Sequence, residues 1–136
     1  MITRVVIDTN AYSALLAGDV SIADALAECD EVLLCAVVIG ELLDGFAGGS
    51  KEAENRRRLD RFRQKPRTVT VPITPATAEW FAQIKQQLRR KGTPIPINDV
   101  WIAAVCMEHG AAILSEDGHF AQIDGLLRRP IAPSPP

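Results

Sequence analysis

The run Ile2–Ile7 is short and β-branched, and it ends on a carboxylate, Asp8. No other feature constrains the fold as tightly. Such a run reads as a buried strand. Asp8-Thr9-Asn10 then supplies turn and N-cap chemistry for a helix through about Leu16. A buried strand feeding straight into a helix is how a parallel α/β sheet begins.

The alternation continues along the chain. Gly18 and Asp19 break the first helix, and Ser21–Cys29 reads as a second, capped near Asp19 or Ser21. Glu31–Cys35 is the second expected strand. Ala36–Phe46 follows, with Val38, Leu42, Leu43 and Phe46 at helical spacing. Gly48-Gly49-Ser50 separates it from a helix over Lys51–Lys65, which Pro66 stops. Thr68–Val71 is a short strand. Thr74-Pro75 starts a helix that runs to Lys91, with Trp80, Phe81, Ile84 and Leu88 on one stripe and Gly92 as its cap. Asn98–His109 is apolar on nearly every side, so a buried helix is expected. Ala112–Leu114 is a strand, Ser115–His119 a loop, and Phe120–Ile123 a helical turn. Leu126–Leu127 is a candidate edge strand. The pattern predicts a central parallel sheet of four to five strands with helices on both faces. Residues 1–129 form one domain on this reading, and 130–136 a disordered Pro-rich tail.

Composition narrows the class. The chain has 136 residues, 47% of them hydrophobic, which suffices for a core without disulfides or structural metal. Cys29, Cys35 and Cys106 show no paired spacing and read as buried thiols. No apolar leader and no bilayer-length run are visible, so a cytoplasmic protein with no membrane partner is expected. The net charge of −2 hides an asymmetry: residues 1–50 hold one base, Arg4, against eight acids, while Lys51–Arg67 holds eight bases and three acids. That is the pattern of an acidic metal site beside a polyanion-binding rim.

Ligands of open parallel sheets bind beyond the carboxyl ends of the strands. That rule selects four acids. Asp8 ends the first strand, and Asp117 lies just past the last. Asp99 starts the buried helix. Glu41 sits in the helix after the second strand, between apolar neighbours where an unpaired charge is costly. Taken singly, Asp8 and Asp99 are explained by helix capping, Asp117 by an Asp-Gly turn, and Glu41 by a polar stripe with Asp44. Together at one sheet edge they would repel one another. A divalent cation resolves the conflict, and hard oxygen ligands point to Mg²⁺, with Mn²⁺ as a substitute. His109 and His119 lack ligand spacing and read as surface or capping residues.

These motifs resemble the PIN-domain ribonucleases, and within them the VapC-type toxins of bacterial toxin–antitoxin pairs. Val6-Ile7-Asp8-Thr9-Asn10 is similar to the family's first motif and Glu41-Leu42-Leu43-Asp44-Gly45 to its glutamate motif. Pro96–Ala104 resembles the third, and Leu114-Ser115-Glu116-Asp117-Gly118-His119-Phe120 the last. The likeness spans residues 2–129. It implies a PIN-like fold, Mg²⁺-dependent endoribonuclease activity, a homodimer, and a cognate antitoxin as partner. It carries the acidic roles onto Asp8, Glu41, Asp99 and Asp117, and polar helpers onto Asn10 and Ser115. Cys35-Ala36 departs from the serine or threonine that relatives often carry there.

An acidic pocket repels RNA, so positive charge must come from elsewhere. Arg56, Arg57, Arg58 and Arg61 form one candidate rim, and Lys85, Arg89, Arg90 and Lys91 another; a solvated helix face is the competing reading. Single-stranded or looped RNA suits such a site because its bases are accessible. A catalytically inactive PIN-fold module that binds RNA or protein is the alternative function. Phosphotransfer folds fit less well: a dehalogenase-type site wants Asp-x-Asp where this chain has Asp8-Thr9-Asn10, and a receiver wants a lysine where Ser115-Glu116-Asp117 stands.

Overall fold

A computed structural model describes residues 2–131. The order is β1 (Arg4–Ile7), α1 (Thr9–Leu16), α2 (Val20–Ala27), β2 (Glu31–Cys35), α3 (Ala36–Ala47), α4 (Glu52–Arg63), β3 (Thr68–Val71), α5 (Pro75–Lys91), α6 (Ile97–His109) and β4 (Ala112–Leu114), then a 3₁₀ turn over Gly118–Gln122. The four strands form one parallel sheet in the order β3-β2-β1-β4. Val5 pairs with Val32 on one side and Ala112 on the other, so β1 is central. Its residues Val5, Val6 and Ile7 are wholly buried. Full burial of both faces explains the unbroken apolar stretch Val5–Ile7.

Most elements follow the sequence reading, with three differences. The second helix starts at Val20, because the Asp19 carboxylate accepts from the amides of Ser21 and Ile22 and so fixes the N-cap. The last helix starts one residue early, at Ile97, on Pro96. The expected edge strand at Leu126–Leu127 reduces to a single parallel bridge between Ile113 and Arg128. Ile113 N–H donates to Leu127 O, and Arg129 N–H donates to Ile113 O. The tail expected to be disordered falls, beyond Ile131, outside the described residues.

Two features hold the site's scaffold. Helix α6 packs on α5, β1 and α3. Its residues Val100, Ala103, Ala104, Val105 and Cys106 are wholly buried, and the alanines let neighbouring backbones come close. At the other end, Thr74 and Thr77 form a capping box at the start of α5. The buried Thr77 hydroxyl also donates to Glu108 Oε1 at 2.6 Å, which ties α5 to the end of α6. All three cysteines are buried and free. Cys35 caps α3 without a side-chain hydrogen bond, as the Cys35-Ala36 departure implies.

Candidate metal centre

Strand order fixes where a site can form. The chain runs outward from β1 through β2 to β3, then returns to place β4 on the other side of β1. A crevice opens beyond the carboxyl ends of β1 and β4, where the order reverses. It is a cavity of about 350 Å³ lined by Asp8, Thr9, Asn10, Glu41, Asn98, Asp99, Asp117 and His119, with Pro96, Ile97 and Ile102 as apolar wall. The four acids selected from the sequence therefore share one space, and Asn10 joins them.

Each carboxylate is placed by local structure. Asp8 is the N-cap of α1, its Oδ1 accepting from Ala11 N at 2.8 Å. Its Oδ2 accepts a short hydrogen bond from the Ser115 hydroxyl. The same Ser115 oxygen accepts from Asp117 N at 2.9 Å, so one hydroxyl couples the ends of β1 and β4. Asp117 caps the 3₁₀ turn through His119 N. Asp99 lies in the first turn of α6, where the helix dipole favours a negative charge. Glu41 is held by the Thr9 hydroxyl at 2.7 Å and, more loosely, by Asn98 Nδ2 at 3.4 Å. Glu116 is exposed and does not line the cavity.

The acids pay an electrostatic cost here. Asp8 is only 5% exposed. Burial pushes its pKa above the ordinary value, and the nearby Asp117 and Asp99 charges add to that, against the opposing bonds from Ser115 and Ala11. Burial likewise raises Asp99, helped by Asp117 and Glu41 and opposed by His119. No lysine or arginine lines this cavity among the described residues.

His119 corrects the sequence reading, which set it aside as a surface or capping residue. Its Nδ1 lies 2.9 Å from Asp99 Oδ2 and 3.0 Å from Asp117 Oδ1. One ligand atom from each of Asp99, Asp117 and His119 falls within 4.8 Å of the others, a grouping that could hold a metal ion. The overlooked signal was the Asp117-Gly118-His119 spacing on a tight turn, which folds the imidazole back over its own cap. Thr9 and Asn98 were also missed as the residues that orient Glu41.

The candidate rims lie outside the cavity. Arg56 and Arg58 are engaged in i,i+4 ion pairs with Glu52 and Glu54 along α4. Lys91 is tied to Asp124 and to the Gln122 carbonyl. Arg57, Arg61, Lys85, Arg89 and Arg90 form no ion pair among the described residues.

A parallel sheet of order 3-2-1-4 with acids gathered at its switch point is the PIN architecture, and the PIN-domain family model matches residues 5–126. The chain belongs to the PIN-domain family. It is 36% identical over 85 residues to Ribonuclease VapC4 of Mycobacterium tuberculosis, a match covering 62% of this chain and 65% of that protein. It is 28% identical over 120 residues to Ribonuclease VapC5 of the same organism, covering 88% and 87%. The fold is similar to a solved structure of VapBC-5 from Mycobacterium tuberculosis, a member of the VapBC family of toxin–antitoxin systems. There the TM-score is 0.67 at 26% identity, over 93% of this chain and 98% of that one.

Proposed function

We propose that this chain is a divalent-metal-dependent endoribonuclease, the toxin of a toxin–antitoxin pair. The observation that carries the proposal is the convergence of Asp8, Glu41, Asp99 and Asp117 on one cavity. Carboxylate oxygens, with one imidazole nitrogen and no thiolate beside them, suit Mg²⁺ or Mn²⁺. Buried acids with raised pKa values and no basic side chain but an imidazole are what a dication would neutralise. When bound, such an ion would lower the pKa of a water and polarise a scissile phosphate.

The chain's own residues then divide the work. Asp8 and Asp99 would hold the ion, with Glu41 and Asp117 completing the set. Ser115 fixes the Asp8 carboxylate and the Asp117 loop together. Thr9 and Asn98 hold Glu41 at the cavity wall, and Asn10 is a polar helper beside it. The cations of α4 and α5 attract the RNA backbone that the acids repel.

The resemblance to the ribonucleases VapC4 and VapC5 supports RNA cleavage, and that to VapBC-5, of a toxin–antitoxin family, supports a toxin role with a cognate antitoxin as the second partner; a homodimer is the working form on this reading. No helix among the described residues is long and apolar enough to cross a membrane. Asp8→Asn tests the proposal. Asparagine keeps the cap acceptor for Ala11 but removes the charge. RNA cleavage with Mg²⁺ should disappear while the variant stays folded. Undiminished cleavage, or wild-type cleavage that survives EDTA, would refute it; wild-type RNA binding without any turnover would favour the inactive binding module.

A further inference from the structure

The linker from α5 to α6, residues 92–96, has two sides. Pro96 and the start of α6 border the acidic cavity. Thr93, Pro94 and Ile95 face away from it and, with Lys85, Leu88 and Arg89 of α5, wall a second cavity of about 230 Å³. The linker thus contributes to the lining of both depressions. Ile95 and Asn98 are three positions apart, about 10 Å of chain at full stretch.

Their charges are complementary. The first cavity carries four carboxylates and no lysine or arginine. The second carries Lys85 and Arg89 and no acid. Both cations are unpaired among the described residues, unlike Arg56, Arg58 and Lys91. A strand with one phosphate among carboxylates gains most from cations at the next phosphate along.

The floor suits a base. Ile95, part-buried against the core, and the exposed Pro94 present the apolar surface, while Leu88 at 4% exposed is nearly covered. The guanidinium plane of Arg89 can stack on a base or pair with a phosphate. The volume lies below the roughly 300–1,000 Å³ of drug-sized sites, so it admits part of one nucleotide and no folded RNA element. The walls are also pre-set. Pro94 and Pro96 restrict the linker, and Gly92 takes the left-handed turn (φ 66°) that ends α5. Little ordering cost is left for binding.

We propose that this second cavity holds the nucleotide adjoining the one that is cut, its base against Pro94 and Ile95 and its phosphate on Lys85 and Arg89. The assignment rests on the nuclease reading above and adds which cations grip the strand. Lys85→Gln with Arg89→Gln tests it on a short single-stranded RNA that the wild type cleaves in Mn²⁺. The expected result is a fall in kcat/KM of about 10-fold and a salt slope of RNA binding lower by about 0.7 for each phosphate no longer neutralised. Mn²⁺ uptake, followed by calorimetry, should stay at the wild-type level. Unchanged cleavage and salt slope would overturn the subsite and leave the nuclease reading standing. Loss of Mn²⁺ uptake would overturn it too, by tracing the effect to the metal centre. A wild type without metal-dependent cleavage would sink the parent reading and the subsite with it.

Discussion

Neutralising one acid of the cluster should make the metal-free protein more stable and blind it to metal. Asp99→Asn is the clearest case. A ligand oxygen of Asp99 and one of Asp117 lie within 4.8 Å of each other. At an effective dielectric constant of about 20, that separation corresponds to repulsion of about 3 kcal/mol. The side chains are 17% and 27% exposed, and His119 sits between them, so screening reduces the figure. Relief of about 1–2 kcal/mol remains, or a rise in Tm of about 4–8 °C for a chain of this size. Differential scanning calorimetry in EDTA would measure it. Adding Mg²⁺ at 100 times its Kd should stabilise the wild type by about 2.7 kcal/mol and reverse the order. The variant should respond weakly. A variant that melts below wild type in EDTA, and then gains the full Mg²⁺ shift, would refute the electrostatic reasoning.

Other outcomes follow from the same geometry. With Asp8 and Asp99 raised above their ordinary value of 3.8, the metal-free fold prefers their protonated forms. Their stabilising contribution is full below that value and is lost as pH rises through the raised values. The Mg²⁺-induced Tm shift should accordingly shrink as pH falls toward those raised values, and a pH-independent shift would contradict the assignment. Ser115→Ala removes the hydroxyl that couples Asp8 to the Asp117 loop. It should cost about 1 kcal/mol of stability and weaken Mg²⁺ uptake, which titration calorimetry would register. Thr77→Val leaves the Glu108 carboxylate short of a buried donor and should cost about 1–3 kcal/mol in denaturant unfolding without affecting Mg²⁺ affinity.

The strands were legible because their cues are local. Pro66 stops the helix before β3, and burial on both faces left β1 an apolar run. Asp8 and Asp117 were legible as acids at strand ends, since topology carries such residues to one edge whatever their separation in sequence. The place of His119 was not, because it depends on the tight turn after Asp117 and on the docking of α6. The bridge at Arg128 was hidden for a related reason: a lone parallel bridge leaves no periodicity. The i,i+4 pairs that occupy Arg56 and Arg58 were written in the Glu52 and Glu54 spacing, yet weighing them against free cations needed the side-chain positions.

The acids of the cavity come from positions 8, 41, 99 and 117, and the last of them follows β4, the final strand of the sheet to be made. During synthesis β1, β2 and β3 can associate early, but one side of β1 stays vacant until β4 emerges. A nascent or truncated chain lacking β4 therefore has no assembled cage. On the nuclease reading, a ribosome making this protein is exposed to its activity only after β4 and the Asp117 loop have cleared the exit tunnel.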